Sequence, residues 1–383
     1  MKGNFRTAKT MVINMKHIIP DYTFPADPHT AIENADFSTL EAHYAGKTAR
    51  FGDFHAHSAS GGTSDGKTSP AEWLAAMPEL QMDFVGLMDH RQVRHMYLDE
   101  FTPEHFLYGT EPAMMWNEPN TACHYLMIFQ NREDLETVLE HYPEVYEFEG
   151  GTEGHFVYKC IDFETFLEIG QFVLSIGGAF VNAHPMQQIG SDNIDHFDFG
   201  DRTAIEIIYT CKYPDALNPH TVNNYRLWLK MLDADKRIYN TATADAHGKA
   251  TNTGINTVYT LDPICSEYVQ RLREGDLNSG CVGIQMTLGN FRGFVPMGGT
   301  IPYADDLVLC LRVADGHPLR FGDPAEYRVD IFSDEGLAYS APLSSLPFTC
   351  AIKAQKRRFY RVEVIRTEDG APAAIGNPVW IRD

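Results

Sequence analysis

The sequence predicts an α/β protein in which a β/α barrel is followed by a small antiparallel β appendage. From about residue 50, short apolar runs alternate with capped helical segments, an alternation typical of parallel β/α architecture. Polar residues suited to metal binding repeatedly follow the apolar runs, as they do at the catalytic rim of a barrel. After about residue 300 the helical segments cease, and short strands separated by Asp-Gly turns take their place.

The elements can be assigned in order along the chain. Ser69-Pro70-Ala71-Glu72 has the form of a capping box with proline at the first helical position, which predicts a helix to Leu80. The further expected elements are a strand over 84–88, a helix over 163–176, a strand over 179–181, a strand over 204–209, a helix over 219–233 and a strand over 237–243. Three domains follow from these boundaries: a leader over 1–49 with a short helix near 37–45, a barrel over 50–298 and an appendage over 299–383.

Composition narrows the functional class. The chain has 383 residues, 44% of them hydrophobic, and a formal net charge of −21, which disfavours nucleic acid and anionic membranes as partners. No apolar run of about 18 residues occurs, so we expect a soluble, cytoplasmic protein. The seven cysteines form no C-x-x-C pair, which favours buried free thiols over a disulfide framework.

The segment 131–160 is either an insertion near the site or a surface excursion, and the second is favoured.

The first metal-type motif is His55-Ala56-His57, at the end of a short strand. Residues i and i+2 of a strand point to the same side, so both imidazoles can reach one ion. Taken alone, the pair is equally compatible with two surface histidines. Seven further residues follow strand-like runs or glycine-rich turns: Asp65, His90, Glu111, His124, His184, Asp245 and His247. Nine imidazole and carboxylate ligands without a thiolate suit two or three Zn, Mn or Fe ions.

A competing motif lies in the same stretch. Residues 61–68, Gly-Gly-Thr-Ser-Asp-Gly-Lys-Thr, satisfy the pattern of a phosphate-binding P-loop. The loop does not leave a strand directly, however, and the helix signal lies at Ser69-Pro70 rather than at Lys67-Thr68. Asp65 would also place a carboxylate among the phosphates. We therefore reject this interpretation.

The order of the nine ligands resembles that of the PHP (polymerase and histidinol phosphatase) superfamily. The matching pieces are His55-Ala-His57, Ser64-Asp65-Gly66, Asp89-His90, Gly109-Thr-Glu111, His124, Asn182-Ala-His184-Pro185 and Asp245-Ala-His247. The similarity covers about residues 50–290. A weaker resemblance is to the branch that includes carbaryl hydrolase, and it rests on the segment Gly376-Asn377-Pro378-Val379-Trp380-Ile381.

The resemblance implies a distorted (β/α)7 barrel with a trinuclear site. It would place one ion on His55, His57, Glu111 and Asp245. Glu111 would bridge to a second ion held by His124 and His184. Asp65, His90 and His247 would take the third.

The expected activity is hydrolysis of a small phosphomonoester or phosphodiester by a hydroxide that bridges two of the ions. His247 and Asp89 are the candidate catalytic residues; Asp89 would orient His90 or transfer a proton, or else only support its neighbour. Four cations near the ligands are candidates to bind the substrate anion: Lys67, Arg91, Arg94 and Lys212. Two alternatives stay open, a carboxylester or carbamate hydrolase with the same metals and a non-catalytic metal-stabilised module.

Overall fold

The computed structural model describes residues 29–117, 121–149, 154–185, 193–209, 217–249 and 254–382. Among these residues, no helix combines the length and apolar character that crossing a membrane requires. The described helices are α1 (Ser38–Tyr44), α2 (Pro70–Leu80), α3 (Arg132–His141), α4 (Phe163–Ser175), α5 (Pro219–Asp233) and α6 (Cys265–Glu274).

The strands of the first two thirds of the chain are short and mostly buried. They are β1 (Thr48–Ala56), β2 (Phe84–Leu87), β3 (Phe106–Thr110), β4 (Ala113–Trp116), β5 (Thr121–Phe129), β6 (Tyr146–Glu149), β7 (His155–Tyr158), β8 (Cys160–Ile161), β9 (Ala179–Asn182), β10 (Ala204–Ile208), β11 (Tyr239–Ala242) and β12 (Asn256–Thr260).

The remaining strands are longer on average and mutually antiparallel in most pairings. They are β13 (Leu277–Gly280), β14 (Val282–Asn290), β15 (Gly293–Pro296), β16 (Thr300–Pro302), β17 (Val308–Gly316), β18 (Tyr327–Ser333), β19 (Gly336–Pro342), β20 (Phe348–Lys353), β21 (Phe359–Arg366), β22 (Pro372–Gly376) and β23 (Val379–Arg382).

Side-chain caps fix where the helices begin. Ser69 and Glu72 form the expected capping box at α2: the Ser69 side chain accepts the Glu72 amide, and the Glu72 side chain accepts the Ser69 amide. Asp162 and Asn218 cap α4 and α5 by accepting a hydrogen bond from the third helical residue. The helix begins at Pro70 rather than at Lys67-Thr68, which is inconsistent with a P-loop.

Seven of the described strands form the barrel wall in the order β1-β2-β3-β5-β9-β10-β11. β1, β2 and β3 are parallel, as are β9, β10 and β11, whereas β5 is antiparallel to both of its neighbours. The wall closes between β11 and β1, where Ala56 pairs with Ala246 and the His57 amide donates to the Ala246 carbonyl at 2.8 Å. The predicted distorted seven-stranded barrel is therefore confirmed, and its distortion includes one reversed strand.

The C-terminal strands form two antiparallel layers, as the sequence predicts. One is a four-stranded sheet in the order β15-β14-β17-β20. The other contains β18, β19, β21 and β22, and it joins the barrel because β22 pairs with β13, β13 with β12 and β12 with β1. Pairing between β14 and β17 crosses the domain boundary expected at residue 298, and that boundary stays a prediction.

Buried polar contacts fix the appendage to the barrel. The Asn377 side chain accepts hydrogen bonds from the backbone and side-chain nitrogens of Asn240 on β11 at 2.6 and 2.9 Å. The Arg361 guanidinium pairs with Glu363, and the Tyr225 hydroxyl on α5 donates to the same carboxylate at 2.5 Å. Satisfied polar groups of this kind set the register of the packed layers, since mispacking would leave them unpaired.

The segment 131–160 lies beside the barrel rim. Its α3 helix packs on the wall, and β6 and β7 form an antiparallel hairpin. The Phe156 amide of that hairpin donates to the Arg91 carbonyl at 2.9 Å, one residue after His90. This contact favours an insertion near the site over a surface excursion.

Candidate metal centre

The His55 and His57 side chains lie at the carboxyl end of β1 and point the same way, as their spacing predicts. Both are fully buried, and their ring centroids are 5.2 Å apart. Phe54 and Ala56, the alternate residues, pack into the hydrophobic core. The strand thus separates two apolar contacts from two imidazoles that face the barrel mouth.

Glu111 is the centre of the predicted ligand set. It follows β3, is fully buried, and has imidazole nitrogens around both of its carboxylate oxygens. The distances to Oε1 or Oε2 are 3.0 Å from His124 Nδ1, 3.0 Å from His184 Nε2, 3.4 Å from His55 Nε2, 2.7 Å from His90 Nδ1 and 3.5 Å from His57 Nε2. Both oxygens of this carboxylate thus lie close to imidazole nitrogens, an arrangement consistent with a ligand that bridges two ions.

Asp245, Asp65 and His247 complete the set on the other side of the mouth. Asp245 Oδ1 lies 3.0 Å from His57 Nε2 and 3.5 Å from His55 Nε2. His247 Nε2 lies 3.1 Å from Asp65 Oδ1, and both of these side chains are partly exposed. All nine predicted ligand residues therefore come together at one rim of the barrel, where the parallel strands have their carboxyl ends and His124 lies in the amino-terminal part of the reversed strand β5. Their role as ligands stays a prediction.

The donor atoms fall into overlapping groups within which all atoms lie within 4.8 Å of one another. The groups are His57, Asp65, His90 and His247; His55, His57 and Glu111; His55, His184 and Asp245; and His90, Glu111 and His124. There are four groups rather than the three of the expected partition, and His55, His57, His90 and Glu111 each belong to two of them. Such an arrangement is consistent with a polynuclear site and leaves the identity of the metal open.

The buried donors fit metal ions in a further respect. Among the described residues, His55 Nε2 and His57 Nδ1 have no hydrogen-bond partner although both atoms are inaccessible to solvent. A buried imidazole nitrogen without a partner costs free energy, and metal coordination removes that cost. The donor chemistry of imidazole and carboxylate suits Zn, Mn or Fe.

The electrostatics of the protein alone show how strongly the groups are coupled. Burial alone would raise the pKa of Glu111, but the adjacent His55, His124 and His184 outweigh it and hold the pKa well below its ordinary value. Burial lowers the pKa of His55, yet the Glu206 and Glu111 carboxylates outweigh burial and raise it well above its usual range. The buried Glu111 carboxylate thus stays negatively charged, which suits the binding of cations.

Two buried carboxylates that the sequence analysis did not single out position these ligands. Glu206 on β10 is 2.9 Å from His55 Nδ1 through one oxygen, and its other oxygen accepts the His184 amide at 2.8 Å. Asp53 on β1 accepts the amides of His55 and Ala244, each at 3.0 Å. The available signal was a single acidic residue within an otherwise apolar strand, Ala-Ile-Glu-Ile-Ile and Phe-Gly-Asp-Phe.

Asp89, a predicted catalytic residue, lies behind the ligands and is fully buried. It accepts the Ser58 amide at 2.6 Å and hydroxyl hydrogen bonds from Ser58, Ser60 and Ser64, and Gln92 donates to it as well. Serine and glutamine donors surround both of its oxygens, so a proton transfer would have to break this network. These contacts favour a supporting role for Asp89 over a catalytic one.

Three of the four predicted substrate-binding cations fall on the loops that carry the ligands. The Lys67 side chain is exposed, and its amide donates to the His247 carbonyl at 2.8 Å. Arg91 is held against the β6–β7 hairpin: its Nε is 3.4 Å from the Phe156 carbonyl, and its guanidinium lies 5.1 Å from the centre of the Tyr158 ring.

Arg94, the third of these cations, is half-buried in the 3-10 turn Arg94–Tyr97 that follows the His90 loop. Lys212, the fourth predicted cation, lies outside the described residues. Their roles in binding substrate stay predictions.

Tyr209 is a further residue at the mouth that sequence reasoning missed. Its hydroxyl donates to Asp245 Oδ2 at 3.1 Å, and its ring lies 5.3 Å from that of His220 at the start of α5. Tyr209 directly follows β10, so its position at a strand end was the available signal.

Neither a family model nor a curated protein sequence matches the chain. Solved structures are similar to it at low sequence identity. A two-domain protein from Bacteroides vulgatus, described as containing a predicted PHP-like metal-dependent phosphoesterase, aligns at 13% identity and a TM-score of 0.40, covering 92% of this chain and 98% of that one.

Two further structures align with a smaller part of the chain. An amidohydrolase from Chromobacterium violaceum aligns at 16% identity and a TM-score of 0.35, covering 58% of this chain and 95% of that one. The lesion-specific endonuclease Q from Pyrococcus furiosus aligns at 13% identity and a TM-score of 0.37, covering 59% and 56%.

Proposed function

We propose that the protein is a metal-dependent phosphoesterase that hydrolyses a small phosphomonoester or phosphodiester. The observation that carries the proposal is the placement of buried Glu111 within 3.5 Å of five imidazole nitrogens at the barrel mouth. Divalent ions bound there would supply an activated water nucleophile and neutralise the charge that develops on the phosphoryl oxygens.

The protein's own residues would hold and orient that assembly. His55, His57, Glu111 and Asp245 are buried or nearly so and would form its inner part, where water is excluded. Asp65, His90 and His247 are more exposed and would form the part that meets solvent and substrate. His247, with 34% of its side chain exposed, is the most open of the six imidazoles; its Nδ1 lies 2.7 Å from the Asp245 carbonyl, so its Nε2 would either bind an ion or transfer a proton to a leaving group.

The positive residues at the rim support a phosphoester over a carboxylester. Lys67 and Arg91 directly flank the loops of His247 and His90, and Arg94 follows in the next turn. Cations beside a site stabilise phosphoryl oxygens, whereas a carbamate or carboxylester needs an apolar pocket for its alcohol. The net charge of −21 supports a small substrate rather than a nucleic-acid duplex.

A substrate panel after metal analysis tests the proposal. The purified full-length protein, loaded separately with Zn, Mn and Fe, is assayed with p-nitrophenyl phosphate, bis(p-nitrophenyl) phosphate, naphthyl carbamate and naphthyl acetate. We expect more than one metal equivalent per chain and hydrolysis of at least one phosphate substrate.

Two variants sharpen the test. Glu111→Gln removes the central charge and should lower phosphatase activity by about 100-fold or more. His141→Ala, an exposed histidine on α3, is the matched control and should leave activity unchanged. If the protein cleaves only naphthyl carbamate or naphthyl acetate, the proposed substrate class is wrong. If no metal form cleaves any of the four substrates, the catalytic proposal is refuted.

A further inference from the structure

A second cavity lies at the end of the barrel opposite to the metal centre. Arg202 and Arg237 lie two residues before the starts of β10 and β11, whereas His184 and Asp245 follow the strand ends at the metal side. The cavity has a volume of about 520 Å³, within the range of small-molecule sites. Its lining includes Arg202, Arg237, Arg273, Tyr239, Gly298 and Trp380.

Three arginine residues line this cavity. Arg237 pairs with Asp201, and Glu274, the one carboxylate in the cavity lining, is already paired with Arg271 at 2.9 Å. Across the described ranges, no carboxylate lies within ion-pair distance of Arg202 or Arg273. Arg273 donates instead to the Leu174 carbonyl at 3.2 Å, so two arginines without a carboxylate partner in the described ranges line one cavity in a chain whose net charge is −21.

The cavity is built where the barrel meets the appendage, a common location for ligand sites. Gly298 has φ +78°, and a Cβ there would lie 1.7 Å from the Glu274 carbonyl oxygen at the end of α6. Only glycine therefore fits at this position. The Tyr239 hydroxyl donates to the Gly298 carbonyl at 3.3 Å, and the Trp380 amide donates to the Gly299 carbonyl at 2.9 Å. Barrel and appendage thus hold the cavity wall from both sides.

Positioned guanidinium groups recognise phosphate through paired, charge-assisted hydrogen bonds. We propose that the cavity formed by Arg202, Arg237 and Arg273 is a second anion site, which binds the phosphate group of a small organic phosphate. The site is separate from the metal centre and does not depend on the activity proposed for it.

Calorimetric titration of inorganic phosphate into the full-length, metal-loaded protein tests this site. We expect one equivalent of phosphate beyond any bound at the metal centre, and this equivalent should be lost or weakened at least about tenfold in the double variant Arg202→Gln/Arg273→Gln. Arg292→Gln, an exposed arginine beside Phe291 and outside the cavity, is the matched control and should bind phosphate as the wild type does. If the double variant does not fold, Arg202→Gln alone is used, because the Arg202 side chain is exposed and its replacement should not impair folding.

The Glu111→Gln variant separates the two sites, because it removes binding at the metal centre and leaves the arginine cavity intact. The proposal holds if Glu111→Gln still binds phosphate and a further Arg202→Gln change abolishes that binding. It is overturned if the double arginine variant titrates like the wild type, or if Glu111→Gln binds no phosphate at all.

Discussion

Glu206 Oε1 lies 2.9 Å from Nδ1 of His55, while its second oxygen accepts the His184 amide. This contact fixes the imidazole with its Nδ1 proton on the carboxylate side and turns Nε2 toward Glu111. Outer carboxylates of this kind set the tautomer and orientation of metal-binding histidines. A residue on β10 thereby positions His55 within β1 and His184 after β9, which joins both halves of the barrel at the metal centre.

Replacing Glu206 with glutamine is expected to weaken metal binding by about 10- to 100-fold, because the amide can no longer hold the His55 tautomer through a negative charge. Competition with a metal chelator, followed by metal analysis, measures the effect. Glu104→Gln, at an exposed glutamate, is the control and should bind metal normally. Unchanged affinity in Glu206→Gln would mean that Glu206 has only a packing role.

The Tyr209 hydroxyl offers a second test of the same principle on the other side of the mouth. Tyr209→Phe removes the hydrogen bond to Asp245 Oδ2 and keeps the ring beside His220. We expect kcat on the best phosphate substrate to fall by about tenfold, with a smaller change in KM, because Asp245 loses its fixed orientation. Tyr303→Phe, at an exposed tyrosine that bonds to Asp305, should behave as the wild type. Equal kcat values for the two variants would exclude a positioning role for Tyr209.

Local sequence signals predicted four of the six described helices, since the relevant physics is local, whereas α3 and α6 were not predicted. The capping residues Ser69, Asp162 and Asn218 all cap the expected helices, and Pro70 and Pro219 occupy the first helical turn. The antiparallel appendage likewise follows from period-two alternation and Asp-Gly turns. These features depend only on residues a few positions apart.

Features that depend on strand pairing could not be predicted in the same way. The reversal of β5 arises from its neighbours β3 and β9, which a one-dimensional pattern does not specify. The contact of Glu206 with His55 spans 151 positions and exists only because the barrel is closed. Asp89 was a candidate to orient His90, to transfer a proton or only to support its neighbour; its carboxylate accepts hydrogen bonds from Ser58 and Ser64, because neighbours in sequence at a strand end diverge in space.

The Asn377–Asn240 contact predicts a large effect on stability. Asn377→Ala would leave the Asn240 amide and the Leu277 carbonyl without the partners they have at 2.6 and 3.2 Å in a buried site. The free energy of unfolding should fall by about 3 kcal/mol, since each unpaired buried group costs about 1–3 kcal/mol. Urea denaturation measures this change. Asn290→Ala, at a surface asparagine that bonds to Asp306, should stay within about 0.5 kcal/mol of the wild type, and a similar value for Asn377→Ala would contradict the assigned role.

His317 predicts a pH dependence that is independent of the metal centre. Burial lowers its pKa to about 4, with a further contribution from Arg320, while Asp83 and the backbone of Leu80 and Gln81 act in the opposite direction.

The unfolded chain binds the proton near pH 6.5 and the folded chain only near pH 4, so stability is full above pH 6.5 and falls as the pH drops toward 4. Between pH 7 and pH 5 this group should remove about 2 kcal/mol of stability. His317→Gln does not titrate, so its urea midpoint should change less over this interval than that of the wild type. Because all other groups are shared, equal changes in the two proteins would show that the His317 pKa is not lowered by folding.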